Sequence, residues 1–327
     1  MARNLQIYPD LSDDQDYLFN GISLNIPESY SLEVKCPVIR DQGTIPVSTV
    51  CAALDTLSVC EASLTGNAPI LHSILYTYDR ARTQIAGWGL VNRGCYLRDV
   101  FKAIQHNKVL PEASLEFKSD TNVAVNVDQI NAASDKSQWW YVKLSNGPDM
   151  AFRSKHQLDD ICRIIAHGYP CAITFRTFSG WQTLDAGVMI SPNNQSEGYH
   201  SMMIVGYNRA TQRFRVRNSF GADWGAGGYA WMPFSYWTGG YICDIWTMIN
   251  GANYDSRKLT IIRPDVERIN KINTIKTIMT NILASDRSFN RLNFESYYNE
   301  QIESYANNQD ARNFLYNMMS YTRNLMG

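Results

Sequence analysis

The stretch RVRNSFGADWGAGGYAWMP, residues 215–233, decides how this chain folds. It opens on strand-type residues, passes through a glycine-dense turn and resumes strand type at Gly228, with Asn218 where the first run ends. Around it lie WWYVKL (139–144), PCAITFRTF (170–178), DAGVMIS (185–191), HSMMIVGYN (200–208), RFRVRNSF (213–220) and GYAWMPF (228–234). Short β-rich runs broken by Gly, Asn and Pro predict an antiparallel sheet or barrel. Ahead of them, STVCAALDTLSV (48–59), ILHSILYTYDRAR (70–82) and YLRDVFKAIQHNKV (96–109) place apolar residues at helical spacing, and HQLDDICRIIAHG (156–168) adds a short helix closed by Gly168. Helices first and strands second predict an α+β chain of two lobes, with a site between them.

Composition narrows the function classes. The 327 residues are 45% apolar and 19% charged, the balance of a globular chain. Thirty Lys and Arg against 31 Asp and Glu leave a net charge of −1, so there is no field to hold nucleic acid or anionic lipid. No stretch approaches eighteen consecutive apolar residues, and the acidic N-terminus lacks an export signal, so a cytoplasmic or virion-associated setting is expected. Seven cysteines, an odd number with no C-x-x-C pair, argue against a zinc or redox site and for buried small hydrophobes. No metal and no cofactor is implied.

Residues 1 to about 23 are polar, without a sustained period, and read as an N-terminal arm. The main domain is expected at 24–250. From 251 to 327 the chain reads as a helical extension, with amphipathic runs at 266–283, 294–306 and 311–326, suited to oligomer or assembly contacts.

Three distant clusters carry chemistry: CPVIRDQGTIPVSTVCAA around Ser48, EGYHSMMIVGYN around His200, and the Asn218 stretch. A nucleophile at a helix start, a histidine opening a strand and an asparagine ending one form a nucleophile, base and orienter set if folding joins them. Each also has a plain reading. Ser48 is a helix cap, His200 a half-buried histidine, Asn218 a turn residue, and Gln42 a partner for loop backbone. The other histidines, 72, 106, 156 and 167, read as surface residues.

These clusters resemble the papain-like cysteine peptidases, particularly the short bacterial and viral variants. The family's D-Q-G followed by its nucleophile segment is similar to Asp41-Gln42-Gly43, Thr44-Ile45 and Pro46-Val47-Ser48-Thr49. Its G-H-A and V-G-Y are similar to Tyr199-His200-Ser201 and Val205-Gly206-Tyr207, and its R-N-S-W-G-x-x-W-G-x-x-G-Y to Arg217 through Tyr229. The resemblance implies a papain-like two-lobed fold, with a helical left lobe and an antiparallel β-barrel right lobe, that binds or cleaves a polypeptide. It implies that Gln42 donates to the oxyanion beside the backbone N–H of Ser48, a donor being worth about 2.7–4 kcal/mol. His200 would be base and then acid, Asn218 would fix its tautomer, and Trp224 would shield the bond between them.

The departures matter as much. Ser48 stands where the family has Cys, and a serine hydroxyl cannot form the resting thiolate. Ser48 is therefore an engineered replacement that silences a cysteine endopeptidase, or the mark of a natural pseudoenzyme serving as a structural or peptide-binding part of a larger assembly such as a virus or phage particle. A working serine peptidase fits least, because a neutral Asn218 backs the histidine. Cys51, nearly a turn on, should point about 60° away, into the core. Ile45 replaces a half-cystine, and Phe220 replaces the family's first Trp, keeping an aromatic lid.

Overall fold

The computed structural model describes residues 7, 9–10, 16–22, 25–89, 91–118, 133–144, 155–192 and 196–262. The helical runs expected beyond 263, and most of the extension drawn from 251, lie outside the described residues. In chain order the elements begin with strands β1 (Tyr17–Ile22) and β2 (Ser29–Ser31). Three helices follow: α1 (Ser48–Thr65), α2 (Ile74–Arg80), which runs on into a π turn at Ala81–Ile85, and α3 (Leu97–Asn107). Next come β3 (Trp139–Lys143), α4 (Lys155–Ala166), β4 (Cys171–Thr177), β5 (Leu184–Asp185), β6 (Val188–Met189) and β7 (Gly198–Asn208). The described chain ends with β8 (Arg213–Arg217), β9 (Tyr229–Pro233), the short α5 (Ser235–Thr238), β10 (Ile242–Asn250) and β11 (Leu259–Ile262).

The strands form one sheet in the order β11-β1-β3-β10-β4-β7-β8-β9-β6-β5, with β2 joined to β7. The expected sheet was wholly antiparallel, but β1 with β3 and β6 with β9 run parallel, so the sheet is mixed. Within the segment read as an arm, Tyr17–Ile22 forms a strand. It pairs with β11 and β3, partners remote in sequence that no local period reveals. One apolar cluster gathers around β4, β7, β8 and α4, and another packs α1, α2 and α3 with Trp139, Tyr141, Trp246 and Met248. α1 is apolar or small nearly all round, hence buried over most of its length, and Gly66 ends it in the left-handed conformation.

His72 corrects another expectation. It is buried rather than surface-exposed, and its Nε2 lies 2.8 Å from Glu61 Oε2, with Lys136 on the other carboxylate oxygen. His106 and His167 are exposed as expected.

Residues near the N-terminus are tied to the sheet by an acidic pair, Asp244 buried and Asp10 half-buried. Asp10 N–H donates to Asp244 Oδ2 at 3.0 Å, while Asp10 accepts from the Arg98 N–H at 3.1 Å and from Trp246 Nε1–H at 2.8 Å. Burial raises the pKa of both carboxyls, against the pull of Arg98 and Lys143, and the Asp10 charge raises that of Asp244 further. An acid whose folded pKa is raised loses stability as pH climbs from its unfolded value, near 3.8, towards the folded one. Asp244→Asn keeps an acceptor and never ionises. Its Tm should exceed that of the parent by about 2–4 °C at pH 7, with the gain gone below the unfolded value. Calorimetry at the two pH values checks this; a lower Tm at pH 7 rejects it.

Candidate active site

β7 supplies the histidine because it is held on both sides. Phe175 of β4 stands opposite His200, and Met203 of β7 opposite Arg217 of β8. Continuing that antiparallel register past β8 carries Asn218 to Phe220 alongside the start of β7. His200 Nε2–H donates to Asn218 Oδ1 at 2.8 Å. The same oxygen accepts the Ser219 N–H at 2.8 Å, which fixes which end of the carboxamide faces the ring. In the neutral imidazole, the nitrogen that is not protonated is then Nδ1.

Aromatic rings surround this pair. Phe220 lies 4.7 Å and Trp181 4.9 Å from the His200 ring centre, and Phe175 meets it edge-on at 6.0 Å. Trp224 joins this enclosure through Phe220. Its ring meets Phe220 at 6.4 Å, one layer further out, while Phe220 and Trp181 cover the histidine. Trp181 was missed in the sequence, where the only signal was an aromatic after the Ser179-Gly180 turn.

The segment bearing Gln42 is stitched to the one bearing Asn218. Gln42 N–H donates to Ser219 O at 2.9 Å, Gly221 N–H to Arg40 O at 3.0 Å, and Asp41 bridges to Phe220. Gln42 is fully buried; its Oε1 accepts from the Ser219 hydroxyl at 2.6 Å and its Nε2 donates to Ile45 O at 3.0 Å. The plain reading of Gln42 is therefore partly correct, since one N–H serves loop backbone. A carboxamide carries two, so a second N–H is left beyond that bond. Ser219, between Asn218 and Phe220, joins both halves and was not singled out in the sequence.

Ser48 is the first residue of α1, and Val47, not Ser48, occupies the cap position. Its backbone N–H belongs to the first turn, which has no intrahelical acceptor. α1 packs on β7. One turn along the helix, Cys51 is buried in the apolar cluster that packs α1 against α2 and α3. Ser48, His200, Gln42 and Asn218 are all at least 97% buried, with exposures of 3%, 0%, 0% and 2%.

Cys51 is no substitute nucleophile. It is 1% exposed, and burial pushes its thiol up to about 12, against the pull of Arg40. A thiol that holds its proton and is closed to solvent does not react. Iodoacetamide at pH 7.5 should leave Cys51 unmodified in the folded protein, as peptide mass mapping would show; rapid labelling there would reject this account. Among the described residues, no three His, Cys, Asp or Glu side chains gather as a metal site.

Residues 89–248 match the papain family cysteine protease profile, a stretch that holds His200 and Asn218 but not Gln42 or Ser48. An uncharacterized peptidase C1-like protein, L477, of Acanthamoeba polyphaga mimivirus is 26% identical over 163 residues, 41% of this chain and 52% of that one. Cathepsin O of Mus musculus is 30% identical over 97 residues, 29% of this chain and 30% of its own length. The chain thus spans about half of the first relative and under a third of the second. Among solved structures, xylellain, a cysteine protease from Xylella fastidiosa, superposes with a TM-score of 0.61 at 21% identity, covering 76% of this chain and 97% of that one. The Carica candamarcensis cysteine protease CMS1MS2 gives 0.53 at 18% identity, over 68% and 97%. At those identities the two structures show the fold alone, and it is papain-like. Over residues 89–248, then, this chain is similar in sequence to the papain-family cysteine proteases, and its fold is theirs.

Proposed function

We propose that this chain is a papain-like cysteine endopeptidase acting on polypeptide through an acyl-enzyme, present here with Ser48 at the nucleophile position. The observation that carries this reading is the 2.8 Å bond from His200 Nε2–H to Asn218 Oδ1 inside its aromatic enclosure. It leaves Nδ1 with the lone pair a general base needs.

In the active form, with a thiol at position 48, Nδ1 takes the proton and the thiolate attacks the scissile carbonyl. The oxyanion that develops is met by the backbone N–H of residue 48 and by the second N–H of Gln42. His200 then protonates the leaving amine and activates the water that releases the acyl group. Asn218 holds the ring throughout, and Phe220 and Trp181 exclude water from that bond, with Trp224 supporting Phe220.

The test is Ser48→Cys incubated with an unfolded polypeptide such as reduced casein, with fragments read by mass spectrometry. Cleavage that disappears on His200→Ala supports the reading; a folded Cys protein that cleaves nothing sinks it. The second reading, a catalytically silent papain fold that binds peptide within a larger assembly such as a virus or phage particle, is favoured by Ser48 itself, since Cys51 cannot replace it. On that reading residues 251–327, whose sequence predicts helices, are docking elements. Their deletion should change oligomeric state or partner capture in sizing experiments.

A further inference from the structure

Arg40, Asp55 and Arg217 come from three parts of the chain, and each accompanies a residue of the site. Arg40 lies two positions before Gln42, and Arg217 directly precedes Asn218. Asp55 is on α1, seven positions after Ser48. Seven steps of 100° return to within about 20° of the start, so the two share a helix face.

All three side chains are buried. Asp55 Oδ1 accepts from Arg40 Nε–H at 2.6 Å, and Oδ2 from Arg217 Nε–H at 2.7 Å. Arg217 also donates to Val38 O at 2.6 Å and to the Tyr229 hydroxyl at 2.7 Å. Arg40 reaches Glu112 at 3.6 Å, and that carboxylate accepts the Ile74 N–H at 3.0 Å. Two guanidinium groups thus face two carboxylates. Burial opposes ionisation of Asp55, yet Arg217 and Arg40 outweigh it and hold the carboxyl below its ordinary value.

One carboxylate is therefore the shared anchor of the three segments that deliver Gln42, Asn218 and the helix start. Both arginines bind it through Nε, the least mobile donor of the guanidinium, which makes the grip directional. Stability alone does not need such a device, since apolar side chains of similar volume often serve as well as a buried ion cluster.

We propose that Asp55 is a positioning residue: by gripping Arg40 and Arg217 with its two oxygens, it sets the spacing between Gln42, Asn218 and the first turn of α1. The activity arm of its test rests on the hydrolase reading above; the spectroscopic arm does not. In the Ser48→Cys protein, Asp55→Asn should lower kcat by about ten- to a hundredfold while KM stays within about threefold. In the Ser48 protein, NMR follows the His200 Nε2 proton, and Asp55→Asn should speed its exchange with water at least about tenfold relative to the β3 amides. A folded Asp55→Asn protein with kcat and imidazole exchange unchanged overturns the proposal. So does equal acceleration of the imidazole proton and the β3 amides, the mark of general destabilisation. If the Cys protein cleaves nothing, the hydrolase reading fails, and the exchange measurement alone decides on Asp55. Should Asp55→Asn not fold, Arg40→Lys, which keeps the charge and removes the Nε donor, takes its place with the same expectations.

Discussion

Replacing Ser48 with Cys should raise the rate of polypeptide cleavage by about three orders of magnitude or more, the scale set by the loss of a nucleophile in other hydrolases. The reason lies in the proton inventory. A serine hydroxyl keeps its proton until a base removes it during attack, and the imidazolium so formed needs a negative neighbour. Here the neighbour is the neutral Asn218, whose oxygen also serves the Ser219 N–H. A thiol at the start of a helix and beside a histidine ionises at a pKa of roughly 3.5–7.5, so the thiolate is formed before substrate arrives. The Cys protein should show a bell-shaped pH dependence, rising as the thiol ionises and falling as the imidazolium loses its proton. It should also gain a thiol that iodoacetamide labels rapidly near pH 6, where Cys51 stays silent. A Cys protein with a flat pH profile and no fast thiol would show that residue 48 and His200 do not work together.

Asn218→Ala in the same Cys background lowers kcat by about a hundredfold or more, the range assigned to a positioned acid–base group. Two donors lose their acceptor together, His200 Nε2–H and the Ser219 N–H. Each buried donor left unmet costs about 1–3 kcal/mol, so Tm should fall as well. Asn218→Asp separates the two effects. It retains the oxygen, so folding should survive. The added charge favours the imidazolium and moves the alkaline limb of the pH profile upward. Full activity in Asn218→Ala would remove Asn218 from the site.

How much of this was readable before the structure depends on how local the cause is. The Asn218 stretch and the β7 run were legible because strand pairs joined by glycine turns announce themselves in adjacent residues. β10 was not read as a strand. ICDIWTMIN is buried on both faces between β3 and β4, so it lacks the alternation that marks a half-exposed strand. β1 depends on partners beyond residue 138, and nothing near Tyr17 reports them. Within the site, residue types and order pointed to His200, Asn218 and Gln42. The side chains that hold them in place, Ser219, Trp181 and Asp55, act through contacts made only after folding. A motif gives the order of aromatics along a turn, not which one faces the histidine, so the contacts of Phe220 and Trp181 with His200 were not legible in it.

The position of His200 in the sheet bears on where this molecule can breathe. β7 exchanges main-chain bonds with β4 and then β2 along one edge and with β8 along the other. Freeing the imidazole from its strand would require a cooperative, sub-global opening. Gln42 sits on a turn joined to the 218–221 segment by a few bonds and anchored to α1 through the Arg40–Asp55 pair. The histidine side is thus held by a strand paired on both edges, and the Gln42 side by discrete bonds to Ser219 and, through Arg40, to Asp55.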